Sequence, residues 1–159
     1  MAGDNLKQLA AQGLAAMRAG SDVAGQATDE ISNDAQHPAL KAALEEGHRT
    51  SKQWAERIGR ACQQAGDGGQ QNNPIVEALY EVSRRIRQQA PDDTSRDLGI
   101  IANGQLALHY WIAAFGTMAN YTQKLGMDDV ARDMKMCADE AKQADEKQTA
   151  LAEQILAQD

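Results

Sequence analysis

Apolar side chains recur at alternating steps of three and four residues along nearly the whole chain, which is the spacing of an amphipathic helix. Turn-forming residues interrupt this pattern at His37 and Pro38, at 66–74, at 90–94 and at 126–129. The chain has few of the β-branched and aromatic runs that are typical of strands. The pattern therefore predicts four long helices of roughly thirty residues each, with one short helix between the second and the third.

Capping signals indicate where these helices begin and end. Asn73 stands before a proline and is expected to cap the short helix, which we predict over about 74–89. His37 also precedes a proline and is expected to cap the second long helix. Gly126 is expected to end the third long helix, and an aspartate at 128–129 is expected to cap the fourth.

The apolar positions of each long helix form one stripe that faces the core of a bundle. The stripe of the third long helix is Ile101, Gly104, Leu108, Trp111, Phe115, Met118, Thr122 and Leu125. The first long helix has the weakest stripe, with Leu6, Gly13, Met17, Gly20, Ala24, Ala27 and Ile31. A long crossover between the second and third helices is typical of ferritin-like bundles. We therefore predict an all-α, ferritin-like four-helix bundle with a short additional helix in that crossover, as a single domain over 1–159.

The charge balance narrows the classes of function. The 159 residues include 16 basic and 23 acidic side chains, for a net charge of −7, and the isoelectric point lies near 4.9. A nucleic-acid-binding protein needs a basic face to neutralise phosphates, and an anionic membrane surface attracts basic segments. We therefore expect neither nucleic acid nor a membrane among the partners.

The cysteines and the least charged segment add two further expectations. Cys62 and Cys137 are too few and too far apart for a disulfide framework, so we interpret them as reduced thiols of a cytoplasmic protein without a secretory signal. Residues 98–123 contain no charged side chain, but Asn103 and His109 help to make them too polar for a membrane span. This segment is predicted to be the most buried helix of the bundle.

Three segments resemble one family of bacterial proteins. Residues 38–46 (PALKAALEE) are similar to the start of the second helix of the YciE/YciF family, and residues 109–117 (HYWIAAFGT) resemble its third-helix signature. Residues 139–142 (DEAK) and 145–147 (DEK) match its fourth helix. The resemblance implies a homodimeric, ferritin-like bundle that is associated with bacterial stress responses and has a candidate di-metal site.

This chain lacks the metal ligands that the resemblance implies. A di-iron or di-manganese centre needs Glu and His side chains that project inward from the four long helices. The family's ligands in the last three long helices fall on Gly47, Thr50, Trp54, Leu108, Trp111 and Ala141. In the first long helix the expected glutamate falls near Gly20, Ser21 or Asp22. The helical stripes place all six except Thr50 inward, so we predict a degenerate site without metal, cofactor or catalytic residue.

Two tryptophans are predicted to occupy the volume of the lost metal site. Trp54 and Trp111 are the only tryptophans of the chain, and both stand at lost ligand positions. The neighbouring inward positions are small: Gly20, Ala24, Gly47, Ala141 and Ala144. Large and small residues on facing helices must compensate one another in a dense core. The indole N–H groups would need partners, for which we expect Ser51, Gln148 or His109.

An alternative hypothesis keeps a weak or unconventional iron or manganese site. Glu45 and His48 have the spacing of a Glu-x-x-His pair, and His109 and Glu140 could add ligands. However, Glu45 and His48 lie about one residue off the inward stripe, and Glu140 and Asp145 are expected to face solvent. The cluster of Arg84, Arg85 and Arg87 is interpreted as a solvated face or an intersubunit ion-pairing surface.

These observations favour a non-enzymatic protein that acts by binding or assembly. No phosphate-binding loop and no nucleophile with an adjacent base is present. The dimer surface, or a small pocket beside Trp54 and Trp111, is predicted to carry the function. The identity of a protein partner or small-molecule ligand does not follow from the sequence.

Overall fold

The computed structural model of the protein describes residues 2–158, and the helices in this range have the predicted order. They are α1 (Ala2–Asp34), α2 (Pro38–Ala65), α3 (Pro74–Gln89), α4 (Asp93–Lys124) and α5 (Asp128–Leu156). No strand occurs within the described residues. The predicted all-α class and the short helix over 74–89 are therefore confirmed.

Helix packing follows from the lengths of the connections. Helices α1 and α2 pack against each other, as do α4 and α5, because short loops join them. Helix α2 also contacts α5, and α1 contacts α4, which closes a four-helix bundle. The long crossover contains α3, which packs along α1 and α4.

Local capping explains most of the helix boundaries. The Nδ1 atom of His37 accepts a hydrogen bond from the backbone N–H of Ala39 at 3.2 Å, so the predicted cap of α2 is confirmed. The side chain of Asn73 accepts from the N–H of Val76 at 3.1 Å and caps α3, as predicted. Gly126 follows α4 with φ of +73°, a left-handed conformation that glycine adopts without strain.

The predicted aspartate cap of α5 is wrong. Met127 occupies the N-cap position, and no side chain accepts a hydrogen bond there. Asp128 and Asp129 instead lie in the first turn of the helix. At that position a carboxylate stabilises the helix through the positive end of its dipole rather than as a cap.

The stripe of α1 was placed on partly wrong positions. Ala10 and Leu14 are fully buried, whereas the predicted positions Leu6 and Gly13 are only half-buried. The first half of α1 is so rich in alanine that several faces look equally apolar, and its period is therefore poorly defined. The predicted stripe of α4 is confirmed at Ile101, Trp111, Phe115, Met118 and Thr122, all of which are buried.

Helix α4 is not more buried than its neighbour α5. Within the described residues it has eight buried residues, the same number as α5, so the expectation of a most buried helix is wrong. By length and composition alone, α4 could cross a membrane. The core helix of a helical bundle in water passes the same test. Three of the buried residues of α4 are polar: Asp97, Asn103 and Thr122.

Two buried charged residues hold the connections in place. The carboxylate of Asp97 accepts from the backbone N–H groups of Gln36 and His37, at 2.9 and 2.7 Å, and ties the α1–α2 loop to α4. Arg87 is only 3 % exposed in its side chain and pairs with Glu30 and Asp34 of α1. The interpretation of Arg87 as part of a solvated or intersubunit cluster is therefore wrong, because its partners belong to the same chain.

Candidate functional site

A cavity of about 370 Å³ lies at the centre of the bundle. All five helices contribute to its wall, which is more apolar than polar. Ser21 and Thr28 of α1 and Tyr80 of α3 line it, together with a larger number of residues from α2, α4 and α5. The volume falls within the range that is typical of small-molecule sites.

An aromatic cluster forms one part of this wall. Trp54 and Trp111 are 7 % and 6 % exposed, and their ring centroids lie 6.4 Å apart at an interplanar angle of 51°. Phe115 packs against both rings, at 5.2 Å from Trp54 and 5.3 Å from Trp111. Tyr110 meets Trp111 edge to face at 5.0 Å. Such contacts hold large rings in one orientation, so this part of the wall is preorganised.

Most of the predicted site positions lie around this single cavity. Gly47, Thr50, Trp54, Leu108 and Trp111 line it. Gly47 is exposed, however, so its predicted inward position in the core is wrong. Ala141 is fully buried in the adjacent core and does not line the cavity. These side chains do not fit a di-metal centre, because none of the six is a carboxylate or an imidazole.

We expected the two indoles to fill the centre of the bundle, but they do not. The cavity remains beside them because many of the facing residues are small: Ala24, Ala43, Gly47, Gly104, Ala107 and Ala144. A Cβ atom added at Gly47 or Gly104 would meet no other atom within 4 Å. The small residues therefore leave a cavity that the tryptophans do not fill.

Gly20 is small for a different reason from the one predicted. A Cβ atom on Gly20 would lie 2.6 Å from Nδ2 of Asn73, which is too close for a real contact. The Asn73 amide donates to the carbonyl of Ala16 at 2.9 Å and to the hydroxyl of Tyr110 at 2.7 Å. Gly20 therefore makes room for the α3 cap and not for an indole.

Glu140 faces the interior of the bundle, and the expectation that it faces solvent is wrong. Its Oε2 accepts from Nε1 of Trp54 at 3.3 Å, and its Oε1 accepts from Nη1 of Arg57 at 2.5 Å. The partner of the Trp54 indole is thus none of the three residues that we expected. Arg57 also lies 3.6 Å from Sγ of Cys137, and burial raises the pKa of that thiol to about 11.

The residues of the alternative metal site do not come together. Glu45 is exposed, and His109 is exposed and pairs with Asp145 at 3.0 Å. His48 lines the cavity, and its Nδ1 atom is buried without a hydrogen-bond partner. Within residues 2–158 no group of three His, Cys, Asp or Glu side chains has a metal-binding arrangement. Asp145 also accepts from Gln105 at 3.2 Å, and its side chain is only 20 % exposed, which corrects its predicted exposure.

The ionic side chains of the cavity wall have partners within the protein. Glu46 of α2 pairs with Lys147 of α5 at 3.0 Å, and both are well exposed to solvent. Glu140 pairs with Arg57, which lies behind the wall. The wall therefore offers no unpaired carboxylate, ammonium or guanidinium group to a ligand.

Asn103 lines both this cavity and a shallow hollow between α3 and α4, and it was not among the predicted site residues. It is 3 % exposed, and its Nδ2 donates to the backbone carbonyl of Leu79 at 3.0 Å. Its Oδ1 has no hydrogen-bond partner. The signal that could have identified it is its place directly before Gly104, an inward position of the α4 stripe.

Four long helices with a short helix in the crossover between the second and the third define a ferritin-like bundle protein. The family model described as Domain of unknown function (DUF892) matches residues 6–159, and the chain belongs to this family. It is 31 % identical to Protein YciF of Escherichia coli (strain K12) over 123 residues. This matched region covers 76 % of this chain and 72 % of YciF. The resemblance to the YciE/YciF family is therefore confirmed.

Two solved structures have the same fold. The crystal structure of the E. coli stress protein YciF matches with a TM-score of 0.91 and 21 % identity, over 97 % of this chain and 98 % of that chain. YcfI from Rhodopseudomonas palustris matches with a TM-score of 0.85 and 24 % identity, over 91 % of this chain and 92 % of that chain. At these identities the structural likeness concerns the fold alone.

Proposed function

We propose that this protein is a non-catalytic, stress-related binding protein whose ligand is a small molecule held in the central cavity. The observation that carries the proposal is the cavity of about 370 Å³ beside Trp54 and Trp111. A rigid aromatic wall with a few polar groups is typical of a binding site for a small organic molecule. The stress association comes from YciF, which is called a stress protein in E. coli.

A fluorescent titration tests this proposal. N-phenyl-1-naphthylamine is a neutral aromatic dye whose emission rises in an apolar environment, and we expect it to bind with a saturable signal. Gly104→Leu should abolish binding, because Gly104 lines the cavity and has free space beside it. Gly116→Leu is the matched control, since Gly116 lies on the same helix, also has free space, and does not line the cavity.

The two variants separate cavity binding from surface binding. Retained binding in Gly116→Leu together with its loss in Gly104→Leu supports the proposal. Equal binding in both variants, or no saturable binding by the unaltered protein, contradicts it. Both variants replace a helical glycine, so their effects on helix propensity are matched.

Metal content distinguishes this proposal from the alternative with iron or manganese. We expect less than about a tenth of an ion per chain after incubation with either metal. We also expect that a chelator does not change the melting temperature, because removing a metal lowers stability only when the folded state binds it. One or two bound ions per chain would instead favour a site around His48, whose Nδ1 atom has no partner. Loss of the ions in His48→Ala would then assign them to this residue.

We also propose that a second copy of this chain covers an apolar face of α3 and α4. Ile75, Val82 and Leu106 are exposed and line one shallow hollow together with Leu79. Acidic residues lie on the first half of α3 and basic residues on the second half: Glu77, Glu81, Arg84 and Arg85. Glu81 already pairs with Arg84 and Arg85 of its own chain. Antiparallel contact of two α3 helices across a two-fold axis would place Glu77 beside the basic half of the other copy, as a self-complementary interface requires.

Light scattering after size exclusion tests the homodimer. We expect the mass of a dimer for the unaltered protein and of a monomer for Val82→Glu, because a carboxylate in the apolar interface has no partner. Leu9→Glu is the matched control, since Leu9 is an exposed leucine that lies outside the hollow. A monomeric unaltered protein, or a Val82→Glu variant that remains dimeric, would contradict this interface.

A further inference from the structure

The pairing of charges within the cavity wall limits the charge of a ligand. Glu46 is neutralised by Lys147 at 3.0 Å, and Glu140 by Arg57 at 2.5 Å. His48 is the basic side chain of the wall whose Nδ1 atom has no partner. A charged ligand would lose hydration in the cavity, and the carboxylates and the ammonium group of the wall offer it no counter-charge unless it broke one of these pairs. The cavity therefore favours a neutral molecule.

The aromatic side chains limit the shape and polarity of a ligand. Trp54 and Trp111 are held in fixed orientations by Phe115 and Tyr110, and Leu108 adds aliphatic surface to the same wall. Fixed rings stack well on other flat rings and gain little from flexible polar chains. A flat, mainly apolar ligand therefore matches this surface best.

Asn103 adds a directional polar group. Asn103 is only 3 % exposed, and the hydrogen bond from its Nδ2 to the carbonyl of Leu79 fixes the orientation of the carboxamide. The Oδ1 atom of the same group has no partner. A buried acceptor without a donor destabilises the protein, so a ligand that supplies the donor gains binding free energy there.

We infer that the ligand of this cavity is a neutral, flat, mainly apolar molecule with a hydrogen-bond donor that Oδ1 of Asn103 accepts. This inference rests on the proposed binding function, and it adds the chemical class of the ligand. A molecule of two or three fused rings suits a volume of about 370 Å³.

Calorimetric titration of the unaltered protein with two matched probes tests the donor. Indole and benzofuran have nearly the same shape, but indole has an N–H donor where benzofuran has an acceptor oxygen. We expect indole to bind about tenfold more tightly, which is the ordinary effect of one buried hydrogen bond. Equal affinities, or tighter binding of benzofuran, would overturn the assignment of a donor.

A second probe pair tests the charge. Indole-3-acetamide and indole-3-acetate differ mainly in the charge of the side chain, and we expect the neutral amide to bind at least about tenfold more tightly. Tryptamine, which is a cation, should also bind more weakly than the amide. Binding of either charged probe as tightly as the amide would overturn the inference of a neutral ligand.

Variants of one helix link the donor effect to its residue. Asn103→Leu should remove the preference for indole over benzofuran, whereas Asn120→Leu should retain it, because Asn120 is an exposed asparagine of the same helix. A preference that persists in Asn103→Leu would assign the acceptor to another group and overturn this part of the inference. If Asn103→Leu fails to fold, the two probe pairs on the unaltered protein still test the hydrogen-bond donor and the charge of the ligand.

The outcomes also separate this inference from the proposed function. If the naphthylamine dye binds in a manner that depends on Gly104 while the probe pairs show no discrimination, the ligand class is wrong and the binding function stands. If neither the dye nor any of the probes binds, both proposals fail.

Discussion

The indole nitrogen of Trp54 lies 3.3 Å from Oε2 of Glu140, and this contact joins α2 to α5 at the wall of the central cavity. The second oxygen of the same carboxylate accepts from Arg57. One carboxylate therefore provides the acceptor for two donors that are largely removed from water. A buried donor that loses its acceptor destabilises a fold by more than the net value of the bond.

This arrangement predicts a large effect of removing the carboxylate. We expect Glu140→Ala to lower the free energy of unfolding by about 2–3 kcal/mol, because the Trp54 indole then lacks a partner and Arg57 retains only the weak acceptor Sγ of Cys137. Glu140→Gln should lose less, since its amide oxygen can still accept from Trp54. Urea denaturation followed by tryptophan fluorescence measures both effects. Glu153→Ala is the control on the exposed face of α5, and a Glu140→Ala variant as stable as this control would contradict the prediction.

Two glycines of α1 are predicted to respond to alanine in opposite directions. Gly20→Ala should destabilise the protein by about 1–2 kcal/mol, because the new Cβ atom displaces the Asn73 amide and disturbs the cap of α3. Gly25→Ala should stabilise it by up to about 1 kcal/mol, since Gly25 is exposed and has free space. Thermal and urea unfolding of the pair check this, and a change of the same sign in both variants would refute the prediction.

The stability of the loop between α1 and α2 is predicted to depend on Asp97. Asp97→Ala removes the acceptor of two backbone N–H groups and should cost about 2–4 kcal/mol. Hydrogen exchange should become faster selectively at the amides of Gln36 and His37. A general loss of stability would instead accelerate exchange beyond this loop. Asp29→Ala, at an exposed position of α1, serves as the control. Unchanged exchange at these two amides would argue against the role of Asp97.

The buried thiol of Cys137 predicts a loss of stability in alkali. Burial raises its pKa from the ordinary value of 9.0 to about 11, so the folded protein retains a proton that the unfolded chain releases. Raising the pH from about 9 to about 11 therefore favours the unfolded state, by up to about 2–3 kcal/mol. Cys137→Ala should lack this part of the decline.

The thiolate absorbance at 240 nm gives a direct measurement of the same pKa. In a Cys62→Ala background, the difference from the Cys62→Ala/Cys137→Ala variant isolates the Cys137 thiolate from the three tyrosines, whose ionised forms also absorb at this wavelength. We expect the ionisation midpoint of Cys137 near pH 11. A midpoint near 9 would show that the thiol is not held protonated by its surroundings. The background variant is needed because burial also raises the pKa of Cys62.

Features that depend on neighbours along the chain could be predicted from the sequence. The caps at His37 and Asn73 involve a side chain and a backbone N–H two or three residues away. The burial of Trp54 and Trp111 follows from the helical period, since an apolar stripe has only one way to face a core. The segments at 38–46 and 109–117 were sufficient to indicate the family.

The sequence by itself determined the helices, their order, the caps of α2 and α3 and the inward face of α4, because each depends on residues within a turn or two of one another. Only the tertiary structure decided the partners of Glu140 and Arg87, which lie 53 to 86 positions away in the chain. It also decided that a cavity remains beside the tryptophans. The volume between helices is the difference between the space that the backbones enclose and the sum of many side-chain volumes, and no local pattern encodes that difference.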